Sequence, residues 1–172
     1  ECNAFLGGIL RNYDSNMVLS ERSEYAVIEA DEFDRSFHQL QPYIAVVTST
    51  DADHLDIYGT EEAYLESFSH FTSLIQPGGA LIAKKGIKMQ PHLIEGVRLY
   101  SYSQDEGDFH AENIRIGNGR IVFDFIAPDG RVDDVELGVP VEINIENAIS
   151  AMAVAWLCGV AADDMREAMA SF

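Results

Sequence analysis

The chain has 172 residues, 47% hydrophobic and 23% charged, which is enough for one domain with an ordinary core. Its formal net charge of −18 excludes nucleic acid as a partner, because no basic patch could neutralise phosphates, and most of the 29 acidic residues are expected to solvate the surface. No apolar run is long enough to span a bilayer, no leader of charged, apolar and small residues opens the chain, and two cysteines, Cys2 and Cys158, cannot form a disulfide framework.

In chain order, residues 3–19 hold a Gly7-Gly8 pair and a polar turn at 12–16. Residues 25–30 read as a buried strand, 31–40 as a loop with a short helical turn, and 43–48, after Pro42, as a second strand. Thr60 can cap a helix whose first turn carries Glu61 and Glu62. Tyr64, Phe68, Phe71 and Ile75 give that helix an apolar face, and Gln76-Pro77-Gly78-Gly79 stops it. Residues 80–83 form a third strand and continue a βαβ rhythm.

From about residue 97 the pattern changes to period two. Segments 99–103, 109–116, 120–126 and 132–139 read as strands of an antiparallel meander, with turns at 117–119 and 128–130. Residues 144–157 form a helix apolar nearly all round, expected to be buried with its Cys158 thiol and ended by Gly159. A last amphipathic helix spans 162–172, with Met165 and Met169 on one face. The fold expected is α/β: a mostly parallel sheet flanked by helices, in one domain over 1–172 with an antiparallel subdomain at about 97–140.

The densest chemistry lies in residues 25–58, YAVIEADEFDRSFHQLQPYIAVVTSTDADHLDIY. Each apolar run empties into acidic residues, and ligands of open α/β sheets bind at the carboxyl ends of strands. Glu29, Asp31, Asp34, Asp51, Asp53, His54 and Asp56 are therefore expected to converge on one cleft, with Glu29 and His54 on adjacent parallel strands. Carboxylates plus one imidazole, without Cys, suit Mg²⁺ or Mn²⁺. A single His is a weak signature for a metal-dependent hydrolase, which usually draws on several fixed ligands.

At EADEFDRSF and DADHLDIY, with LGGIL near the start and INIENAISAMAVAWLCGV near the end, the sequence resembles the Mur ligase family. These are ATP-dependent amide-forming enzymes of bacterial peptidoglycan synthesis. The likeness spans essentially the whole chain, as the family's P-loop NTPase-like central domain. It is greatest to the branch that joins L-alanine to UDP-N-acetylmuramate in the cytoplasm through an acyl phosphate, with no membrane partner. Another Mur ligase acting on a different muropeptide and a non-catalytic cation-binding module are the alternatives. No G-x-x-x-x-G-K-[ST] loop is present, and the chain begins at Glu1 without Met. It is therefore expected to be a piece of a longer enzyme, inactive alone, without the family's nucleotide-sugar domain and the domain that selects the amino acid.

The resemblance implies that Glu29 ligates a Mg²⁺ between the γ-phosphate and the acceptor carboxylate, and that His54 ligates a second Mg²⁺. Asp53 or Asp56 would hold the other imidazole nitrogen. Asp31, Asp34 and Arg35 become positioning residues or substrate contacts; surface ion pairs are the other reading. Asn144 and Asn147 match the two Asn of H-N-x-x-N-A, which bind adenine; an amide both donates and accepts, as an adenine edge does. Asn144 alone could equally be a helix N-cap. The motif's His is Ile143 here, and Phe33 replaces the small residue common after EADE. Residues 60–75 contain no Lys, where sister ligases carry a modified one, which fits the alanine-adding branch.

Overall fold

The computed structural model describes residues 2–172. The chain divides into two compact units, Glu1–Leu40 and Gln41–Phe172.

The first unit is a three-stranded sheet. β1 (Asn3–Leu10) pairs antiparallel with β2 (Ser15–Val18) and parallel with β3 (Ala26–Ile28), in the order β2-β1-β3. A 3₁₀ turn (Ser36–Gln39) follows and buries Phe37. The β1–β2 hairpin is absent from the sequence reading. Gly7 and Gly8 contribute no side chain to an alternating pattern, so the strand gives a weak periodic signal.

The second unit begins with β4 (Ile44–Val47), α1 (Leu55–Tyr58) and α2 (Glu61–Ser73). The Thr60 hydroxyl accepts from the Ala63 N–H at 3.2 Å, the cap expected from sequence. β5 (Ala80–Lys84) and β6 (Arg98–Tyr102) complete a parallel sheet in the order β4-β5-β6. Gly79 has to be glycine at the entry to β5, because a Cβ there would lie 2.1 Å from the Tyr43 carbonyl oxygen.

β7 (His110–Gly117), β8 (Arg120–Ala127) and β9 (Gly130–Glu136) form the antiparallel meander. Segment 99–103, read from sequence as part of that meander, instead pairs parallel with β5. Its alternation reports one more exposed face, and an edge strand of a parallel sheet shows that as readily as a hairpin strand.

α3 (Ile143–Leu157) packs against β5 and β6 of the parallel sheet and against β7 and β8 of the meander. α4 (Ala162–Ser171) packs on β9 and buries Met165. The shared core joins Ile82, Tyr102, Phe109, Phe123, Phe125, Ile145, Ile149 and Met152. Gly159 ends α3 with φ +74°, its N–H bonded to the Trp156 carbonyl and the Val160 N–H to the Ala155 carbonyl. Cys158 caps this end half-buried rather than fully buried, and burial pushes its thiol pKa up.

Candidate functional site

Glu29 follows β3 directly, and its N–H donates to the Phe5 carbonyl at 3.0 Å, continuing the parallel ladder. Its carboxylate accepts the Gly7 N–H at 2.7 Å. A Cβ on Gly7 would stand 3.0 Å from both Glu29 carboxylate oxygens, so the glycine permits this approach. Glu29 and Asp31 line an open depression of about 670 Å³ together with Phe5, Leu6, Gly7 and Met17. A carboxylate offers about four lone-pair sites, so one backbone bond leaves capacity for a cation.

Asp31 and Asp34 have local structural work. Asp31 accepts the Phe33 N–H and Asp34 the Ser36 N–H, each at 2.9 Å, folding the chain into the 3₁₀ turn. The Ser36 hydrogen bonds hold the Asp34 carboxyl below its usual range. Arg35 sits at the start of that turn in the left-handed region, φ 61°.

In the second unit, the loop leaving the carboxyl end of β4 is folded by its own polar groups. The Asp51 N–H donates to the Ser49 hydroxyl, which in turn donates to the Asp51 carboxylate, both at 3.0 Å. Thr50 is buried and anchors the loop by accepting the Lys88 N–H at 3.1 Å. His54 opens α1 with φ 52°, in the left-handed region that a residue with a Cβ enters at a cost of order 1 kcal/mol. Its N–H donates to Asp53 Oδ1 at 2.7 Å, and its Nδ1 lies 3.8 Å from the same oxygen. Asp53 is thus the carboxylate beside the imidazole, while Asp56 lies in the first turn of α1.

Of the seven residues expected in one cleft, Glu29, Asp31 and Asp34 lie in the first unit and Asp51, Asp53, His54 and Asp56 in the second. β3 pairs with β1 within the first unit, and β4 pairs with β5 within the second. Among the described residues no three His, Cys, Asp or Glu side chains stand close enough together to hold a metal ion. Sequence alternation locates strand ends but carries no information on which strands pair. Within the units, two groupings stand: Glu29 with Asp31, and Asp53 with His54. The carboxylate oxygens fit Mg²⁺ or Mn²⁺, and Mg²⁺ keeps waters and takes one or two carboxylates plus substrate phosphates; the imidazole is a borderline donor beside them.

Asn144 and Asn147 come together in the second unit. They lie one turn apart on α3, with Asn147 Nδ2 3.2 Å from Asn144 Oδ1. The N-cap is Glu142, not Asn144. Asn144 instead donates to the Val139 carbonyl at 3.1 Å and is half-buried, while Asn147 and Ile143 are exposed. Between the two Asn, Glu146 pairs with Lys84 at 2.7 Å. Sequence reasoning passed over Lys84 by ending the strand at Ala83, although a lysine closing a parallel strand is itself a signal for the carboxyl edge. Beside this pair, burial and then the Glu146 charge push the Tyr102 phenol up to about 12, against a hydrogen bond with Ser150 that lowers it. Among the described residues no helix is long and apolar enough to cross a membrane.

The family model of the Mur ligase middle domain matches residues 11–155. The chain is 66% identical over 171 residues to the UDP-N-acetylmuramate–L-alanine ligase of Phocaeicola vulgatus, covering 99% of this chain and 37% of that protein. It therefore spans well under half the length of this curated relative. Among solved structures it is similar to the UDP-N-acetylmuramate–alanine ligase of Thermotoga maritima, with a TM-score of 0.80 at 21% identity, over 99% of this chain and 38% of that one. It is also similar to the MurF ligase of Thermotoga maritima in complex with ADP, with a TM-score of 0.72 at 16% identity, over 98% of this chain and 41% of that one. At these identities the structural likeness is one of fold. The match of the middle-domain model to most of the chain, across both units, shows that this chain belongs to the Mur ligase family.

Proposed function

We propose that this chain is the central ATP- and Mg²⁺-binding domain of a bacterial, cytoplasmic UDP-N-acetylmuramate–L-alanine ligase, which forms the first amide of the peptidoglycan stem. The observation that carries this reading is the 66% identity over 99% of the chain with a protein of that name. The fold shared with an ADP-bound ligase supports nucleotide use. The family model runs across both compact units, which supports one domain over 1–172.

In this reading the acceptor carboxylate takes the γ-phosphoryl group of ATP and ADP leaves. The alanine amine then attacks the acyl phosphate and inorganic phosphate leaves. Transfer of this kind draws on positioning and charge neutralisation more than on covalent help from the protein. Glu29 and His54 are the residues assigned to hold Mg²⁺, which when bound neutralises phosphate charge. Asp53, beside the imidazole, orients it, and Asp56 stands in the next turn. Gly7 fixes the Glu29 carboxylate through its N–H. Asp31, Asp34 and Arg35 shape the loop after Glu29 as positioning residues or substrate contacts. Asn144 and Asn147 present amide donors and acceptors to the adenine edge, and Ile143 offers that edge no hydrogen bond.

The test is product analysis with the full-length protein, Mg²⁺, ATP, L-alanine and UDP-N-acetylmuramate. Equal amounts of ADP, phosphate and the alanyl amide are expected. Amide formation only with a longer muropeptide would assign the chain to a sister ligase. Cation binding with no ATP turnover on any acceptor would make it a non-catalytic module.

A further inference from the structure

Lys84 closes β5, the central strand of the parallel sheet, and so stands at the sheet's carboxyl edge. Its Nζ lies 2.7 Å from Glu146 Oε2, and the two side chains are 33% and 20% exposed. Exposed ion pairs contribute little. This one is largely withdrawn from water, so removing one partner leaves a poorly solvated charge behind.

Its place on α3 gives the pair a consequence. Glu146 stands between Asn144 and Asn147 in the first turn, and the Glu142 N-cap makes no side-chain capping bond to hold that turn. The turn is tied down by other contacts. Asn144 donates to Val139 O at 3.1 Å, Asn147 donates to Asn144 at 3.2 Å, and the Ser150 hydroxyl donates to the Asn147 carbonyl at 2.8 Å. Tyr102, buried at the end of β6, hydrogen-bonds Ser150. Among these, the Lys84–Glu146 bridge is the side-chain tie from the central strand to the residue flanked by both Asn.

We propose that the Lys84–Glu146 ion pair is the positioning device of the purine site. It locks the first turn of α3 onto the carboxyl edge of the sheet, so that the Asn144 and Asn147 amides meet the base already oriented. Neither residue touches the nucleotide in this scheme. The inference rests on the assignment of Asn144 and Asn147 to adenine made above.

Steady-state kinetics of the full-length enzyme test it. Lys84→Met and Glu146→Gln are each expected to raise KM for ATP about tenfold, with kcat and the KM values for UDP-N-acetylmuramate and alanine little changed. The exchanged pair, Lys84→Glu with Glu146→Lys, is expected to recover most of that loss, and Lys84→Arg to stay near the parent. Single variants with an unchanged KM for ATP overturn the proposal. So does a rise in all three KM values together, or an exchanged pair no better than the single variants. Asn147→Ala separates the two levels. If it leaves KM for ATP unchanged, the adenine assignment falls. If it raises KM while the ion-pair variants do not, the positioning role alone falls.

Discussion

Two acidic regions of this molecule show opposite uses of a carboxylate. In the meander, Asp124 is 6% exposed on β8 and completely provided for. It accepts from the Asn113 amide at 2.7 Å, the Arg131 guanidinium at 2.8 Å and the Asp134 N–H at 2.9 Å, with Arg115 at 3.6 Å. Burial alone would raise its pKa, but the Asn113 and Asp134 hydrogen bonds and the two guanidinium charges outweigh it and hold the carboxyl below the ordinary range. At the end of β4, Asp53 is 74% exposed at its side chain and is engaged by its neighbour His54. At the end of β3, the Glu29 carboxylate takes its hydrogen bond from Gly7 at the rim of an open depression. A buried carboxylate surrounded by donors has its charge spent on the fold. A strand-end carboxylate with one backbone donor keeps its charge for a ligand. On the proposed function, stability falls to Asp124 and chemistry to Glu29 and His54, and variants should separate the two.

The largest effect is expected at the strand ends. In the full-length enzyme, Glu29→Ala and His54→Ala should each lower kcat/KM by about 10²–10³-fold with the melting temperature unchanged, because charge placement at the transferring phosphoryl group is lost. Circular dichroism melts beside the kinetics check both halves of that statement. Gly7→Ala should follow, with about a tenfold loss of kcat/KM, since the new methyl crowds the Glu29 oxygens and small misplacements are costly near the chemistry.

Asp124→Ala reverses the pattern. It should cost about 2–4 kcal/mol of stability by leaving Arg115, Arg131 and Asn113 without their shared acceptor, while the Mg²⁺ requirement stays that of the parent. The pH dependence follows from the depressed pKa. The contribution of Asp124 is fully present above the unfolded-state value of about 4 and is lost as pH falls through the lower folded value. Denaturant midpoints for Asp124→Asn should therefore converge on those of the parent as the pH is lowered below about 4. The smallest effect belongs to the α2 cap: Thr60→Ala should destabilise by about 1 kcal/mol, read from the same denaturation curves.

How far the sequence could be read follows the same division. Elements held by local chemistry were legible. Thr60 caps α2 where a Thr before two Glu said it would, Gly159 ends α3, and the turns after β7 and β8 fall at Gly-containing tripeptides. Asn144 and Asn147 were legible as a pair through their resemblance to the family's H-N-x-x-N-A motif, and the structure sets them one helical turn apart. What depends on pairing across sequence was not legible. Period-two alternation could not tell that 98–102 joins β5 in parallel. The hairpin of β1 and β2 was hidden by Gly7-Gly8, whose missing side chains erase the alternation; at Gly7 the missing side chain also admits the Glu29 carboxylate. The partners of Asp124 lie 11, 7 and 10 residues away, at Asn113, Arg131 and Asp134, and only the strand register brings them together.

The most direct measurement is a Mg²⁺ titration of ADP release by the full-length enzyme and its Glu29→Gln variant, at saturating ATP, UDP-N-acetylmuramate and L-alanine. Loss of the carboxylate charge should raise the Mg²⁺ concentration for half-maximal rate about tenfold or more and lower the maximal rate. A variant with the parent's Mg²⁺ dependence and rate would contradict the assignment of Glu29 to the metal, and with it the reading of this strand end as the catalytic one.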